Sequence, residues 1–370
     1  MPSPRPASAI PHSPPMRGCL VLLSLLMCTA QAQVPVQAHT QAQDPTPTPA
    51  STPTPVQNPT QAQHGDDDDS EPRYAPTPPV LYPGGVQSHR DVIFAQPLGF
   101  RPLTLDLYLP PEGGTPKPVV VFIHGGAWRS RTTREGGAIR DFPAVLASVA
   151  ARKYVVASVS YRFSGEAHFP AAVQDVALAI RWLRTNAGRY HIDTNKFVAW
   201  GSSAGGQIAA LLGTACGAPA FEPPAPKSPK GPLPSTCVQG VIDWYGLVDL
   251  ERDGVDLGKP DVPDYVNTYL GCALKQCAPG WARSASPFPY IDAKDPPFLI
   301  QHGAADITVS PTQSKRLYEA LHAAGVPAEL VIYPGVSHGF AKVPGGGPDE
   351  AINKQAVDKV LEYLGHYFPP

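Results

Sequence analysis

Three short stretches of this 370-residue chain hold the residue types that nucleophilic catalysis requires. Two adjacent serines lie in VAWGSSAGGQ (198–207). An aspartate lies in QHGAADITV (301–309), just after one apolar run, and a histidine lies in YPGVSHGF (333–340), just after a second apolar run. A serine hydroxyl is a weak nucleophile until a base takes its proton, and a carboxylate must orient that base. The pattern therefore predicts a catalytic triad of Ser203, His338 and Asp306.

The spacing of the glycines decides between the two serines. Gly201, Ser203 and Gly205 fit the nucleophile elbow G-x-S-x-G, and Ser202 falls at its variable position. The stretch KFVAWG before the motif predicts a strand, and SAGGQIAALLG after it predicts a helix, which is the setting that an elbow needs. We therefore favour an elbow with Ser203 as nucleophile over a plain glycine-rich turn.

Other histidines and acids are rivals for the triad, so their places in the chain matter. In this type of site the acid and then the histidine follow the nucleophile, and both lie just beyond strands. His322 and His366 fall on predicted surface helices, and Asp249 lies in a loop where a turn role explains it. Order and position favour Asp306 and His338. The remaining rivals are His124, His168, His191, His302 and Asp243.

The stretch FIHGGAW (122–128) follows the first apolar strand and predicts an oxyanion hole. Consecutive glycines let main-chain N–H groups turn toward a substrate carbonyl. The expected donors are the N–H groups of Gly126, Ala127 and Ala204, the last directly after the nucleophile. A plain turn that ends the strand is the alternative interpretation.

Three aromatic residues near predicted strand ends are candidates for substrate binding: Trp128, Trp244 and Tyr245. Ligand sites are rich in aromatic side chains. Aromatic residues at strand ends also belong often to the core, and both interpretations stay open. An insertion from about Asp249 to Ser286 follows and is expected to form a small cap.

Apolar runs alternate with helical patterns along the rest of the chain. The expected buried strands are PVVVFIHGG, YVVASVSYR, KFVAWG, VQGVIDWYG, PPFLIQHG and AELVIYPG. Helical spacing recurs over 173–183, 317–324 and 357–364, and Ser310, Pro311 and Gln313 predict a capping box before the second of these. The alternation predicts an α/β fold with a mostly parallel central sheet and helices on both faces. SHRDVIFAQPLGFRPLTLDLYLP predicts two antiparallel edge strands.

The N-terminal sequence predicts an export signal followed by a linker. A basic residue, a short apolar run and small residues before a cleavage site predict a signal peptide over 1–32, cut after Ala32. Residues 33–81 are rich in Pro, Thr and Gln and predict an extended linker, so the catalytic domain is expected over 82–370. A lipid anchor on Cys28 and a start at Met16 are alternatives. We expect a secreted or periplasmic protein without a membrane span.

Four cysteines remain after the predicted signal: Cys216, Cys237, Cys272 and Cys277. An even number in an oxidising compartment favours disulfides, and four cysteines allow three pairings. We favour Cys216 with Cys237 and Cys272 with Cys277, because each pair brackets one loop. Free buried thiols are the alternative, and the spacing gives no support to zinc.

The overall charge excludes some classes of partner. The formal net charge is -2 with 16% charged residues, so no strong field points to nucleic acid or to an anionic membrane. A small-molecule or polymer-linked substrate fits better. Nothing in the sequence fixes the oligomeric state.

Taken with their order and spacing, these motifs resemble the α/β-hydrolase carboxylesterases near the hormone-sensitive-lipase-like group, and most of all their bacterial feruloyl-esterase-like branch. The stretches that carry the resemblance are HGGAW, SYRFSGEAHFPAAVQDVALAIRWLRTNAGRYHID, GSSAGGQIAALLG, DWYGLVDL, ASPFPYIDAKDPPFLIQHGAADITV and YPGVSHGF. Ser202 departs from it, since many relatives carry histidine there. The resemblance implies the triad and the oxyanion turn that the residues themselves predict.

We expect a serine esterase that cleaves short-chain or aryl, feruloyl-like carboxylic esters through an acyl-enzyme. His338 would take the proton of Ser203 and return it to the leaving alcohol, Asp306 would hold the imidazole, and neither metal nor organic cofactor would be needed. A serine peptidase of the same fold and a non-catalytic binding protein that retains the fold are the alternatives.

Overall fold

The computed structural model describes residues 78–111, 113–225, 231–252, 256, 264–343 and 346–370. The predicted signal peptide lies outside the described residues, as do positions 33–77 of the predicted linker. Parts of the expected cap insertion, 253–255 and 257–263, lie outside them as well.

Nine strands of the described chain form one mixed sheet. They are β1 Val80–Tyr82, β2 Val86–Ala95, β3 Leu103–Leu109, β4 Lys117–Ile123, β5 Val155–Val159, β6 Ile192–Ser202, β7 Gly240–Trp244, β8 Phe298–Gly303 and β9 Ala328–Tyr333. The six expected buried strands are therefore confirmed as β4 to β9. The expected antiparallel edge is confirmed as β2 and β3.

Eight α-helices are present among the described residues. We number them α1 Phe142–Ala150, α2 Ala171–Thr185, α3 Ala187–Tyr190, α4 Ala204–Thr214, α5 Asp264–Leu270, α6 Trp281–Ser284, α7 Thr312–Ala323 and α8 Glu350–Tyr367. The helical patterns read from the sequence correspond to α2, α7 and α8.

The central strand β4 shows why the sheet is covered on both faces. Val119, Val121 and Ile123 pack into one buried cluster with side chains of α2, α4 and α7. Val120 and Phe122, which alternate with them, pack into a second cluster with α1 and α8. Successive strand residues point to opposite faces, so a run that is apolar throughout needs helices on both sides. The expected α/β class is confirmed.

The order of the strands places a crevice above β4. The sheet runs β1-β2-β3-β5-β4-β6-β7-β8-β9. The chain passes from β4 to β5 on one side and then returns to β6 on the other, and β4 pairs parallel with both. In open α/β sheets, ligand sites lie at the carboxyl ends of strands where the order reverses in this way. The loops after β4 and β6 meet at this point.

Two local expectations are corrected by the structure. Strand β1 begins at Val80, two residues inside the segment expected to be linker, and it pairs antiparallel with β2. The predicted capping box at α7 is wrong: Pro311 is the N-cap, without a side-chain cap, and the Gln313 side chain accepts the N–H of Asp249 at 2.7 Å. A tertiary partner has therefore taken the side chain that the capping box required.

The described part of the insertion packs beside the carboxyl ends of the strands. Tyr269 of α5 stacks on Trp128, with ring centroids 4.1 Å apart. The Gln207 side chain of α4 donates to the Ala285 carbonyl at 2.7 Å. No helix in the described part of the chain has the length and apolar character needed to cross a membrane.

Candidate active site

Ser203 lies on the sharp turn between β6 and α4. Its backbone has φ +56° and ψ −119°, a region that non-glycine residues rarely occupy. The Ser203 N–H donates to the Trp244 carbonyl at 2.8 Å, which ties the turn to the end of β7. Strain of this kind costs about 1–3 kcal/mol and is tolerated where the surrounding structure imposes it. The turn lifts the Ser203 hydroxyl out of the sheet edge.

Steric contacts leave no room for a side chain at Gly201 or Gly205, on either side of Ser203. A Cβ at Gly201 would collide with the main-chain carbonyl of Gly205. A Cβ at Gly205 would collide with the carbonyl of Ile123 at the end of β4. The elbow therefore fits closely against the neighbouring strand, which is the steric reason for the motif.

The structure brings Ser203, His338 and Asp306 together as the spacing predicts. The Ser203 Oγ lies 2.9 Å from His338 Nε2, and His338 Nδ1 lies 2.7 Å from Asp306 Oδ2. A carboxylate only accepts, so Nδ1 carries the imidazole proton and Nε2 is free to accept from the serine hydroxyl. This tautomer is the one that a general base needs.

Asp306 is held as a carboxylate from several sides. Its Oδ1 accepts the N–H groups of Thr308 at 2.8 Å and Val309 at 3.0 Å. Burial opposes the charge, but hydrogen bonds from His302 and His338 hold the pKa of Asp306 well below its usual range. An ionised acid in this position stabilises the imidazolium that forms when His338 accepts a proton.

The loop after β4 has the backbone shape of an oxyanion hole. Gly126 and Ala127 have φ of +102° and +52°, which turns their N–H groups away from the regular strand direction. No acceptor within the described structure takes the N–H of Gly126, Ala127 or Ala204. Ala204 is the first residue of α4, so its N–H has no partner inside the helix. Three donors beside Ser203 are therefore free for a substrate oxygen.

His124 supports this loop and does not take part in proton transfer. Its ring is fully buried and stacks on Tyr161 with centroids 4.5 Å apart, and its Nδ1 lies 2.8 Å from the Gly125 carbonyl. Burial lowers the pKa of His124 to about 4, so the ring is neutral at pH 7. The Tyr161 hydroxyl donates to the His124 carbonyl at 3.0 Å and fixes the start of the turn.

The triad opens into a cleft of about 540 Å³. Tyr245 lies in its wall, and the Tyr245 and His338 rings meet edge to face with centroids 4.9 Å apart. The loop after β4 and the turn that follows His338 form the other walls. The described residues that line the cleft are Gly125, Gly126, Ala127, Arg129, Ser130, Arg131, Gly137, Ala138, Ser202, Ser203, Tyr245, Thr308, His338, Gly339, Ala341 and Gly346.

Two of the three aromatic candidates for substrate binding do not line this cleft. Trp244 is fully buried on the face covered by α1 and α8, with its ring centroid 4.8 Å from that of Trp200. Trp128 is also buried, and its Nε1 donates to Gln207 Oε1 at 3.1 Å. The prediction of substrate contact is therefore wrong for both tryptophans, which are core residues. Tyr245 is the one of the three that lines the cleft, although only 1% of the residue is exposed.

A second histidine, His302, contacts Asp306, and the sequence motifs do not identify it. His302 was only a rival for the triad, yet its Nε2 lies 3.1 Å from Asp306 Oδ2. His302 lies at the end of β8, four residues before the acid in the loop that follows, and this spacing is a signal that could have suggested the contact. The rival acids lie elsewhere: Asp243 accepts the Gly246 N–H at 2.9 Å, and Asp249 lies 3.5 Å from Arg316.

The cysteines lie in the two pairs that the sequence favours. Cys216 and Cys237 have Cα atoms 5.0 Å apart, and Cys272 and Cys277 have Cα atoms 5.3 Å apart, with a disulfide in each pair. The first pair anchors the chain just after α4. The second closes a short loop in the insertion.

Comparisons with known proteins fit this geometry. The BD-FAE family model matches residues 105–321. Esterase LipC of Mycobacterium tuberculosis is 31% identical over 236 residues, which are 62% of this chain and 55% of LipC. This chain thus spans about half the length of the first curated relatives it matches.

Solved structures of esterases share the fold. A truncated carbohydrate esterase from gut microbiota is 29% identical, with a TM-score of 0.58 over 74% of this chain and 95% of that one. Esterase Est2 of Thermogutta terrifontis is 26% identical, with a TM-score of 0.61 over 78% of this chain and 94% of that one. The resemblance stated from the motifs is confirmed. Because the matched family model covers more than half of the chain, this protein belongs to the BD-FAE family and has an α/β-hydrolase fold.

Proposed function

We propose that this chain is a secreted serine carboxylesterase that hydrolyses short-chain or aryl esters through an acyl-enzyme. The observation that carries the proposal is the line of contacts from Ser203 through His338 to Asp306, at 2.9 and 2.7 Å, beside three free N–H donors. Nucleophile, base, orienting acid and oxyanion donors are the set that acyl transfer needs.

In the first half of the reaction, the Ser203 Oγ attacks the ester carbonyl carbon while His338 Nε2 takes the hydroxyl proton. The carbonyl oxygen becomes an oxyanion that accepts hydrogen bonds from Gly126, Ala127 and Ala204. When the carbonyl forms again, the bond to the alcohol oxygen breaks, and the alcohol leaves with the proton from His338. The acyl group is then an ester of Ser203.

In the second half, water replaces the alcohol. His338 takes a proton from the water, whose oxygen attacks the acyl carbon, and the same N–H groups hold the new oxyanion. Collapse breaks the bond to Ser203, which recovers its proton from His338, and the carboxylic acid leaves. No step requires a metal or an organic cofactor.

The size of the cleft and the similar esterases support small acyl groups. A volume of about 540 Å³ lies within the range of small-molecule sites. Thermogutta terrifontis Est2, 26% identical, has been solved with propionate bound. The same enzyme, at 27% identity, has been solved phosphonylated by sarin, a reaction that requires an activated nucleophile.

Aryl and polymer-linked esters form the second part of the substrate proposal. Tyr245 supplies an aromatic wall beside His338. The similar enzyme from gut microbiota is a carbohydrate esterase, which supports a sugar-linked ester as the natural substrate. Export fits this role, and both the signal pattern of residues 1–32 and the two disulfides support export.

The test is kcat/KM across p-nitrophenyl esters from acetate to decanoate, together with methyl ferulate. We expect a maximum at two to four acyl carbons and measurable release of ferulate, because a modest cleft cannot bury a long chain. A maximum at the longest chains without ferulate turnover would contradict the proposal.

A further inference from the structure

His302 is a fully buried side chain next to the triad that no step of the proposed reaction uses. Its Nε2 lies 3.1 Å from Asp306 Oδ2 and 3.0 Å from the Val309 carbonyl oxygen. A carboxylate and a carbonyl can only accept, so Nε2 carries a proton and donates toward both. On the other side of the ring, Nδ1 lies 2.7 Å from the Ser314 Oγ of α7.

We infer that His302 is a positioning residue for catalysis, which fixes the Asp306 oxygen that orients His338. Oδ2 of Asp306 receives both imidazoles, from His338 at 2.7 Å and from His302 at 3.1 Å. With Oδ1 bound by two main-chain N–H groups, the carboxylate cannot rotate about its Cβ–Cγ bond without breaking several hydrogen bonds. The inference rests on the proposed esterase mechanism.

The contacts form one continuous path from a helix to the nucleophile. Side-chain hydrogen bonds link Ser314 of α7 to His302 and His302 to Asp306. Further hydrogen bonds link Asp306 to His338 and His338 to Ser203. The first part of this path is completely buried, so its geometry is fixed by packing before substrate arrives. A displacement of a catalytic side chain by about 1 Å can lower the reaction rate by up to about a hundredfold. The contacts that fix Asp306 therefore matter for turnover.

Two substitutions at this position separate positioning from packing. In His302→Gln the amide nitrogen can take the place of Nε2 and still donate to Asp306. In His302→Asn the amide nitrogen reaches only the place of Nδ1, and the donor to Asp306 is lost. We expect His302→Asn to lower kcat for p-nitrophenyl acetate about 10- to 100-fold with KM unchanged, and His302→Gln to stay within about threefold of wild type.

Two further readouts, beside kcat, make the result decisive. The thermal midpoint of each variant reports folding, and the low-field proton NMR signal of the His338 Nδ1–H should shift in His302→Asn alone. Wild-type kcat in His302→Asn would overturn the inference, and so would equal losses in both variants that follow a fall in the thermal midpoint. Failure of the proposed function would be visible separately, as wild-type protein without esterase activity or as an active Ser203→Ala.

The charge of the cleft carries a second, independent inference about the substrate. Among the described residues that line the cleft, two are arginines, Arg129 and Arg131, and none is acidic. Arg129 lies 3.5 Å from Asp264, and Arg131 lies 3.2 Å from Glu135. All four side chains are more than 40% exposed, and ion pairs of this kind contribute little to stability, so a guanidinium can exchange its partner at low cost.

We propose that the preferred ester carries a carboxylate near the scissile bond, on an acidic sugar or an acidic acyl group. Guanidinium groups bind carboxylates through paired hydrogen bonds, and their charge also speeds the approach of an anion. This inference also rests on the proposed function, and it narrows the substrate class.

Two pairs of esters, each a carboxylate and its neutral methyl ester, provide the test. The p-nitrophenyl ester of hydrogen succinate is compared with that of methyl succinate for the acyl side, and 4-acetoxybenzoate with its methyl ester for the alcohol side. We expect kcat/KM of wild type to favour the charged member of at least one pair. The double variant Arg129→Gln/Arg131→Gln should lose this preference by about five- to twentyfold, and added salt should weaken it.

Glu135→Gln is the matched control, because it removes the partner of Arg131 and leaves the cation in place. It should keep or increase the preference for the charged ester. Unchanged ratios in the double variant for both pairs would overturn the inference. Because the neutral esters are measured in parallel, a loss of general esterase activity cannot be mistaken for a loss of charge preference.

Discussion

Ser202 and Ser203 are neighbours, yet only one of the two hydroxyls meets a base. The elbow turns Ser203 toward His338, while Ser202 ends β6 and is almost fully buried. The glycine spacing predicted this register, because the close contact of Gly201 with the Gly205 carbonyl lies within the turn itself, and the contact of Gly205 with the Ile123 carbonyl of β4 adds a tertiary constraint.

Other residue roles depended on contacts that no motif contains. Trp244 was a candidate for substrate binding but packs in the core, because β7 is buried on both faces and its sequence does not show which face a residue occupies. The contact of His302 with Asp306 depends on how the loop after β8 folds back. Residue types and order therefore predicted the three side chains that the structure brings together, whereas the supporting side chains needed the tertiary structure.

Asp243 provides a prediction about stability at the residue scale. Burial raises the pKa of Asp243 to about 7, although His302 and the Gly246 N–H lower it in part. Its Oδ2 has no hydrogen-bond partner in the described structure. Because the folded state keeps the proton that the unfolded chain loses near pH 4, the wild type loses stability as pH rises from about 4 to about 7.

Asp243→Asn should remove this loss, because the amide stays neutral and its Oδ1 can still accept the Gly246 N–H. We expect the variant to match wild type near pH 4 and to exceed it at pH 8 by about 2–4 kcal/mol in the free energy of unfolding. Denaturant unfolding at both pH values measures this difference. Asp358→Asn, at an exposed carboxyl, is the control, and an equal effect of Asp243→Asn at both pH values would contradict the prediction.

At the scale of elements, the apolar strands were predictable because they are buried on both faces. A run such as PVVVFIHGG has no other stable place in a protein of this size, and six such runs gave six strands. Strand β1 was missed because VLY stands next to prolines and has only three residues. The capping box failed because Asp249, far away in sequence, binds Gln313.

The junction of β4, β6 and α4 has no room for a side chain at Gly205. Gly205→Ala would push a methyl group into the carbonyl of Ile123, and neither backbone can move without opening the sheet. We expect a loss of more than about 3 kcal/mol in the free energy of unfolding, together with loss of esterase activity.

Gly365→Ala in α8 is the matched control. Nothing lies within 4 Å of the Cβ that it would add, so the helix should gain about 0.5–1 kcal/mol from the better propensity of alanine. Denaturant unfolding of both variants measures the contrast. Equal stability of the two would show that the elbow has room for a methyl group at Gly205.

At the scale of the whole molecule, the two disulfides tie surface segments to the catalytic sheet. Cys216 follows α4 and binds Cys237, and Arg184 holds the same segment by donating to the Ser235 and Cys237 carbonyls, both at 2.7 Å. The helix that begins at the nucleophile is therefore anchored at its far end. The other disulfide closes a loop of the insertion.

Removing the disulfides one at a time should give losses that follow loop length. The bonded cysteines are 21 residues apart in the first pair and 5 in the second. Loop-closure entropy then predicts losses of about 3 and about 2 kcal/mol for the paired Cys→Ser variants. Unfolding curves of both variants test this order, and non-reducing mass spectrometry that found four free thiols in the wild type would contradict the pairing.

Peptide mapping after fluorophosphonate labelling tests whether Ser203 is the nucleophile of a serine esterase. We expect one adduct per chain on Ser203 in wild type and in Ser202→Ala, and none in Ser203→Ala. The last variant should also lose at least about a thousandfold in kcat, since only the oxyanion hole and binding remain. An adduct on Ser202, or unlabelled wild type that still hydrolyses esters, would show that Ser203 is not the nucleophile.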